Sequence, residues 1–222
     1  MARPRECRAR VLAQRAPAPD IVEADLRMEE PQALAFEAGQ WVSVPFGPKI
    51  VRAYTIASPP YSSRIITLCA DVAPGGLGSA WFRSLAPGVE VVFKGPLGGF
   101  VFARADPRRP LFVAEEIGVV PMRSMLTHLY ATGLGRATTL VYGAGPSPLY
   151  DREFTSLARR YPRFSYHPVP VAGLASAVES LVDAVDGLVA YVAGGEATIH
   201  RVREVLLAKG LERRAVKWEK FW

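Results

Sequence analysis

The sequence has 222 residues, enough for one large domain or for two domains of about 100 residues each. Half of the residues are hydrophobic and 22% are charged, which is ordinary for a soluble globular protein. The formal net charge is +6, but no basic stripe with interleaved aromatics recurs, so nucleic-acid binding is not supported. No apolar run reaches the roughly 18 residues of a membrane-spanning helix, and we expect no membrane span.

Much of the positive charge lies near the start of the chain, in a predicted strand. The charged residues there are Arg3, Arg5, Glu6, Arg8, Arg10 and Arg15. Such a strand could attract an acidic redox partner. It could instead merely keep an edge strand soluble, which is the interpretation that we favour.

Cysteine and histidine usage limits the metal chemistry of this chain. Cys7 and Cys69 are the two cysteines, whereas an iron–sulfur cluster usually takes four, so we expect no cluster in this chain. Two distant cysteines predict no disulfide framework, which suits the reducing cytoplasm. The charged N-terminus predicts no signal peptide, so we expect a cytoplasmic protein. His128, His167 and His200 lack metal-ligand spacing, and no metal site is expected.

Residues 1–104 are predicted to form short strands separated by Pro- and Gly-rich turns. Strands at this spacing favour an antiparallel barrel or sandwich. One helix is predicted at 79–85. The predicted strands are 7–14, 21–28, 41–45, 51–57, 65–72 and 89–94.

From Pro110 the pattern changes to alternating strands and helices, which predicts a doubly wound parallel sheet. Ligands of such sheets bind beyond the carboxyl ends of the strands. We therefore predict two domains, 1–104 and 105–222, joined by a polar linker at 104–109. The predicted strands are 111–114, 138–142, 164–169, 188–193 and 215–221, and the predicted helices are 122–132, 151–160, 175–185 and 198–209.

Residues 52–58, Arg-Ala-Tyr-Thr-Ile-Ala-Ser, combine a cation, an aromatic ring and a hydroxyl in one predicted strand. Arg52 can form bidentate hydrogen bonds with a phosphate. Tyr54 offers a flat face for stacking, and Thr55 a hydroxyl. Strand alternation puts Tyr54 and Thr55 on opposite faces unless the strand twists or bulges. The alternative is a strand with a solvated edge charge.

A second motif, Gly75-Gly76-Leu77-Gly78-Ser79, precedes the predicted helix of the first domain. Its glycines permit close approach of the backbone, and Ser79 is predicted to cap the helix. Backbone N–H groups at a helix N-terminus bind anions readily. The alternative is a glycine turn with a helix cap.

Together these motifs resemble the Arg-x-Tyr-Ser/Thr-x-x-Ser and Gly-Gly-x-x-Ser elements of the ferredoxin–NADP reductase superfamily. Weaker similarities follow in the family's order at 68–69, 95–100, 118–126, 141–144 and 219–221. The resemblance implies an N-terminal antiparallel β-barrel domain that binds FAD, followed by a doubly wound NAD(P)-binding-like domain.

The resemblance also assigns roles to individual residues. Arg52 and the glycine loop would hold the FAD pyrophosphate, Tyr54 would stack on the flavin, and Thr55 would hydrogen-bond near its N5 atom. The catalytic residues would be Thr55, Glu219 as a proton-handling group, and Phe221 covering the flavin; alternatively, the C-terminal aromatics fill the domain interface. The expected FAD-binding residues are Arg52, Ala53, Tyr54, Thr55, Leu68, Cys69, Ala70, Gly75, Gly76, Leu77, Gly78, Ser79 and Phe221.

The sequence departs from the family where the nicotinamide nucleotide binds. The family's glycine-rich loop is replaced by Ala114-Glu115-Glu116-Ile117-Gly118-Val119-Val120-Pro121, which keeps Gly118 and Pro121. A carboxylate about 5 Å from a phosphate charge costs about 3 kcal/mol at an effective dielectric constant near 20. The altered loop therefore predicts weakened NAD(P) binding; the alternative is exposed charges that leave the site working.

Two further departures point the same way. The family's Cys-Gly-Pro is replaced by residues 193–195, Ala-Gly-Gly, and Gly145 stands where many relatives carry Arg or Ser.

The functional hypothesis is a FAD-dependent oxidoreductase that passes electrons between a donor and a redox protein, such as an iron–sulfur or other electron carrier, within a larger complex. A second hypothesis is an NAD(P)H-dependent ferredoxin or oxygenase reductase with an atypical nucleotide loop. A third is a non-catalytic scaffold that keeps the fold.

Overall fold

The computed structural model describes residues 3–133 and 136–222. Internal contacts divide these residues into two compact units. The first unit contains residues 3–102 and 123–133, and the second contains residues 103–122 and 136–222. The predicted boundary between 104 and 105 stays a prediction.

The first unit is built on a six-stranded antiparallel sheet with the order β4-β3-β6-β1-β2-β5. Its inward-facing side chains form one apolar core with helix α1 (Leu77–Ser84). This confirms the predicted antiparallel architecture. The strands are β1 (Arg5–Ala18), β2 (Ile21–Glu30), β3 (Trp41–Pro45), β4 (Val51–Thr55), β5 (Ile65–Asp71) and β6 (Glu90–Leu97).

The two outer strands of this sheet meet just after β4. Ile56 forms an isolated antiparallel bridge with Leu68 of β5. The Ala57 N–H donates to the Thr67 carbonyl at 2.8 Å, and the Thr67 N–H donates to the Ser58 hydroxyl at 3.0 Å. The chain that follows β4 is therefore fastened to β5.

The basic strand β1 does not lie at an edge, so the interpretation as a solubilised edge strand is wrong. It lies between β6 and β2, and its alternating side chains Cys7, Ala9 and Val11 are buried in the apolar core of the first unit. Three of its arginines pair with acids of neighbouring strands: Arg8 with Glu30 and Glu90, Arg10 with Glu29, and Arg15 with Glu23 and Asp25. This pairing reduces the charge that the strand offers to an acidic partner.

The second unit contains a five-stranded parallel sheet with the order β11-β10-β7-β8-β9. Strand β10 is buried along its whole length, as expected for a sheet covered on both faces. The strands are β7 (Arg109–Glu115), β8 (Thr138–Gly143), β9 (Phe164–Val169), β10 (Leu188–Gly194) and β11 (Val216–Lys220).

Four helices connect these strands: α2 (Val119–Ala131), α3 (Asp151–Arg160), α4 (Leu174–Leu181) and α5 (Glu196–Ala208). Helix α2 begins in the second unit, and its residues from Arg123 onward belong to the first. Helix α4 ends at Leu181, earlier than predicted, because Val182 and Val185 continue the apolar pattern from a loop that packs on the core.

The order of the strands reverses at β7, since β8 and β9 lie on one side of it and β10 and β11 on the other. This confirms the doubly wound topology. The crevice between the carboxyl ends of β7 and β10 is the switch point, where ligands of such sheets bind. Within residues 3–133 and 136–222, none of the helices is long and apolar enough to cross a membrane.

Candidate functional site

The motif at residues 52–58 and the glycine-rich motif at residues 75–79 meet at Gly78 in the first unit. A Cβ atom at this position would lie 2.6 Å from the Tyr54 hydroxyl and 3.4 Å from Cγ of Arg52. Strand β4 supplies Arg52 and Tyr54, and helix α1 supplies Gly78 in its first turn. A larger residue at position 78 would therefore force the Tyr54 side chain to shift, and glycine lets the helix approach the strand this closely.

The Tyr54 side chain is held by aromatic residues of α1. Its ring stacks on Trp81, with centroids 5.5 Å apart and planes 26° apart, and is tilted against Phe82 at 5.1 Å. Only 8% of Tyr54 is exposed. Burial raises the pKa of its hydroxyl to about 12, although Arg52 opposes the rise. The hydroxyl therefore stays protonated, and the stacking of a flavin on Tyr54 stays a prediction.

Sequence reasoning missed Trp81. Its ring contacts Tyr54, Phe82 and Phe46, so it joins the helix to the strand hairpin. The sequence does contain a signal for it: Trp81 and Phe82 are successive aromatics in the predicted helix after the glycine loop, and both contact Tyr54 of β4.

The predicted cap of helix α1 is wrong. The helix begins at Leu77, and its N-cap is Gly76, with extended backbone angles and no side-chain cap bond. Ser79 is the third residue of the helix and does not stand at the N-cap position, and its side chain is buried. Gly75 has a φ of 68°, which glycine adopts without strain. The first turn of α1 carries no acidic residue, which leaves its positive dipole end uncompensated by charge.

Thr55 is the last residue of β4 and lies on the face opposite to Tyr54. Thr55 pairs with Trp41 of β3, whereas Tyr54 pairs with Val42, and the register between these strands is continuous. The alternation expected from the sequence therefore holds without a bulge. Trp41, another residue that the sequence did not single out, packs against Gly98, where a Cβ would lie 2.5 Å from its indole nitrogen.

The remaining predicted flavin residues lie on two neighbouring segments. Ala53 is exposed on β4, and the Arg52 guanidinium donates to the Val51 carbonyl at 2.9 Å. Leu68, Cys69 and Ala70 are all buried on the outermost strand β5.

In the second unit, the altered loop places a carboxylate in the switch-point crevice. Glu115 is the last residue of β7, and its Oε2 accepts a hydrogen bond of 2.8 Å from the Gly195 N–H. Gly195 is the N-cap of α5. The Glu115 side chain thus holds the position at a helix N-terminus that an anionic ligand would otherwise favour.

The backbone around Glu115 is close-packed. A Cβ at Gly194 would lie 2.7 Å from Cβ of Glu115, and one at Gly118 would lie 2.5 Å from the Ala193 carbonyl oxygen. Glu116 begins a 3₁₀ turn, Glu116–Gly118, with a φ of 45°. A left-handed conformation costs a non-glycine residue about 1–3 kcal/mol. The backbone at Glu116 thus has a conformation that is typical of glycine, although the residue is a glutamate. Ile117 is buried, and Pro121 lies in the first turn of α2.

The last strand runs beside the same crevice. Glu219 pairs with Ala193, and the Phe221 N–H donates to the Gly194 carbonyl at 3.0 Å. A Cβ at Gly195 would lie 2.5 Å from the Trp222 indole nitrogen. The structure therefore brings residues 193–195, Glu115 and the segment 219–222 together.

Glu219 is the most perturbed carboxyl of this region. Its Oε2 is buried and has no hydrogen-bond partner among the residues that the structure describes. Burial alone raises the pKa of this carboxyl to about 7. A group with that pKa can exchange a proton near neutral pH. The roles of Glu219 and Phe221 toward a flavin stay predictions.

Comparison with known proteins shows which family the chain resembles. Residues 9–102 match the family described as the oxidoreductase FAD-binding domain. The chain is 35% identical over 163 residues to ferredoxin–NADP reductase B of Sorangium cellulosum, covering 71% of this chain and 67% of that protein. It is 31% identical over 160 residues to reductase component 1 of the terephthalate 1,2-dioxygenase of a Comamonas species, covering 71% and 48%.

Solved structures share this fold over most of the chain. The Amycolatopsis reductase GcoB superimposes with a TM-score of 0.86 at 25% identity, over 98% of this chain and 70% of that one. The present chain thus spans two thirds of the first relative and less than half of the dioxygenase component. A FAD-binding domain followed by a parallel sheet with this switch point completes the correspondence, and the chain belongs to the ferredoxin–NADP reductase superfamily.

Proposed function

We propose that this chain is an electron-transfer flavoprotein that binds FAD in its first unit and passes electrons to a redox protein partner. The observation that carries the proposal is the meeting of Arg52, Tyr54 and Gly78. A strand cation and a tyrosine hydroxyl there adjoin the acid-free first turn of a helix. This combination suits a pyrophosphate.

The residues present fit FAD. Arg52 is exposed, and its guanidinium donates to the neighbouring Val51 carbonyl, so it is accessible to a phosphate and can form charge-assisted hydrogen bonds with it. Tyr54 keeps its proton and can donate a hydrogen bond. Since β4 is an outer strand of the sheet, a ligand can bind along its edge and approach the end of the strand, where Thr55 lies with 7% of its surface exposed. Bound FAD supplies the exchange between one-electron and two-electron carriers.

The nucleotide loop supports the finer proposal that NAD(P) binding is weak. The Gly195 N–H donates its hydrogen bond to the Glu115 carboxylate, and a dinucleotide phosphate would have to displace this carboxylate to bind there. Repulsion between this carboxylate and a pyrophosphate at about 5 Å adds about 3 kcal/mol at an effective dielectric constant near 20. The chain would then take its electrons from a protein, as a subunit of a larger redox complex.

A second candidate is an NAD(P)H-dependent ferredoxin or oxygenase reductase. It is favoured by the left-handed backbone at Glu116 and by the close packing at Gly118, which keep the shape of a glycine-rich loop. In that case Glu219 and Phe221 act beside the nicotinamide. A scaffold without a cofactor needs neither the Arg52–Gly78 junction nor the buried Glu219.

The related proteins suggest the partner. One is named a ferredoxin–NADP reductase and another the reductase component of a dioxygenase. By analogy, we propose that this chain has a ferredoxin-like or oxygenase partner. We also propose that it is located in the cytoplasm and carries no iron–sulfur cluster of its own. Cys7 and Cys69 are both buried.

One anaerobic titration separates these candidates. The purified chain is loaded with FAD, and its flavin absorbance is followed while NADH, NADPH or dithionite is added. Bleaching by dithionite but by neither nucleotide supports the proposed function. Bleaching by a nucleotide within seconds favours the reductase. A protein that takes up no FAD leaves only the scaffold.

A further inference from the structure

The segment 56–58, which follows Thr55, is held from two sides. On the side of the sheet, the Ile56 N–H donates to the Gln40 carbonyl at 3.0 Å, and the Ala57 N–H donates to the Thr67 carbonyl at 2.8 Å. Ile56 and Ala57 are fully buried, and Ser58 is 5% exposed. The carbonyls of this buried segment need donors of their own.

Helix α2 supplies those donors. The Arg123 guanidinium donates to the Ala57 carbonyl at 3.0 Å, and the Ser124 hydroxyl donates to the Ser58 carbonyl at 2.7 Å. Ser124 is fully buried, so its hydroxyl is not shared with solvent. Two successive side chains of one helix therefore grip two successive carbonyls.

Helix α2 also packs against Gly39, the neighbour of Gln40, which binds the segment on the side of the sheet. A Cβ at Gly39 would lie 2.4 Å from Cε of Met125 and 2.2 Å from the Phe100 carbonyl oxygen. Gly39, with a φ of 99°, precedes Gln40, whose carbonyl accepts the Ile56 N–H. Displacing α2 would thus loosen the segment through both Gln40 and the two carbonyls.

We propose that Arg123 and Ser124 are positioning residues that fix the direction of the Thr55 hydroxyl by holding the carbonyls of Ala57 and Ser58 in the segment that follows it. The inference rests on the proposed function, because it requires Thr55 to face a bound flavin. Thr55 ends β4, so its orientation depends on the segment after it as much as on the strand before it. A hydrogen bond to a reacting group depends steeply on distance and angle, and small displacements weaken it.

The test uses the whole chain loaded with FAD and a redox dye of fixed potential. At equilibrium the ratio of reduced to oxidised flavin reports how strongly the protein stabilises each form. Thr55→Val should change this ratio about fivefold, the effect of one ordinary hydrogen bond. Ser124→Ala should change it in the same direction by about twofold or more, and the double variant should match Thr55→Val alone.

The chain offers matched controls. Ser180→Ala removes a helical serine that also donates to a carbonyl, that of Ser176 at 2.9 Å, but from an exposed position of α4. It should leave the ratio unchanged. Arg123→Met should act like Ser124→Ala, and Arg123→Lys should recover part of the effect. The Arg123 pair keeps the inference testable if Ser124→Ala fails to fold.

The outcomes separate the inference from the proposed function. If wild-type protein binds no FAD, both fail. If it binds FAD and Thr55→Val changes the ratio while Ser124→Ala and Arg123→Met do not, the positioning role is wrong and the flavin function stands. Effects of Ser124 and Thr55 that multiply independently also overturn the positioning role.

Discussion

The Glu115 carboxylate accepts a hydrogen bond of 2.8 Å from the backbone N–H of Gly195. Glu115 ends β7, and Gly195 directly follows the adjacent parallel strand β10, at the place where the strand order reverses. The protein thus fills with its own anion a position where this topology usually receives a ligand.

Removing that charge should strengthen nucleotide binding. We expect Glu115→Gly with Glu116→Gly to raise the affinity for NADH or NADPH by at least about tenfold, because repulsion of about 3 kcal/mol disappears. The change is measured by titrating the nucleotide against protein fluorescence or flavin reduction. Glu212→Gln removes an exposed glutamate that is paired with Arg214 and serves as the control. Equal affinities in wild type and double variant would show that the glutamates do not block the loop.

A methyl group at residue 78 should loosen the junction between β4 and α1. Gly78→Ala places a Cβ 2.6 Å from the Tyr54 hydroxyl, so we expect a loss of about 1–3 kcal/mol in the free energy of unfolding. Urea denaturation measures this loss.

A second substitution makes that prediction specific. Tyr54→Phe removes the oxygen that the methyl would meet, so Gly78→Ala with Tyr54→Phe should recover much of the stability. Gly173→Ala, which meets no atom within 4 Å, is the control. If the double variant is as unstable as the sum of the two single changes, the close approach does not explain the glycine.

Gly118 should be intolerant for a reason unrelated to nucleotide binding. Its Cβ would lie 2.5 Å from the backbone oxygen of Ala193, which cannot swing away as a side chain can. We expect Gly118→Ala to cost about 1–3 kcal/mol in the free energy of unfolding. Gly145→Ala has open space and should be neutral within about 0.5 kcal/mol. Equal stabilities of the two variants, measured in urea, would refute this account.

Glu219 should make stability depend on pH. Burial raises the pKa of its carboxyl from 4.5 to about 7, so the folded protein holds the proton more tightly than the unfolded chain. Stability from this group is full below pH 4.5 and falls as the pH rises toward and beyond 7, by up to about 3 kcal/mol. Glu219→Gln should therefore gain stability over wild type at pH 8 and almost none at pH 4.5. An advantage that is constant with pH would contradict the buried carboxyl.

Much of the fold was predictable because hydrophobic patterns settle it. Asp151–Arg160 and Phe164–Val169 have the predicted bounds, since turn residues delimit each apolar pattern. The alternation of strands and helices likewise predicted the parallel sheet. Position within a sheet was not predictable: β1 looked like an edge strand by its arginines, yet pairing partners far along the chain place it in the interior.

The candidate site was predictable in its residue types but not in its contacts. Glu115 stood out as a misplaced charge, whereas its bond to Gly195 joins residues 80 positions apart. The Trp81 stack on Tyr54 and the grip of Ser124 on Ser58 also join distant segments. Ser79 was misassigned as a cap because the sequence does not reveal that α1 starts two residues earlier.

The most direct test of the account is equilibrium binding of FAD to the purified chain, followed by quenching of flavin fluorescence. We predict one FAD per chain and an affinity that falls at least about tenfold in Arg52→Ala, since a charge-assisted phosphate contact is lost. Arg64→Ala, which removes another arginine of the first unit, should bind as wild type does. Absence of FAD binding, or equal affinities for wild type and Arg52→Ala, would contradict the central claim.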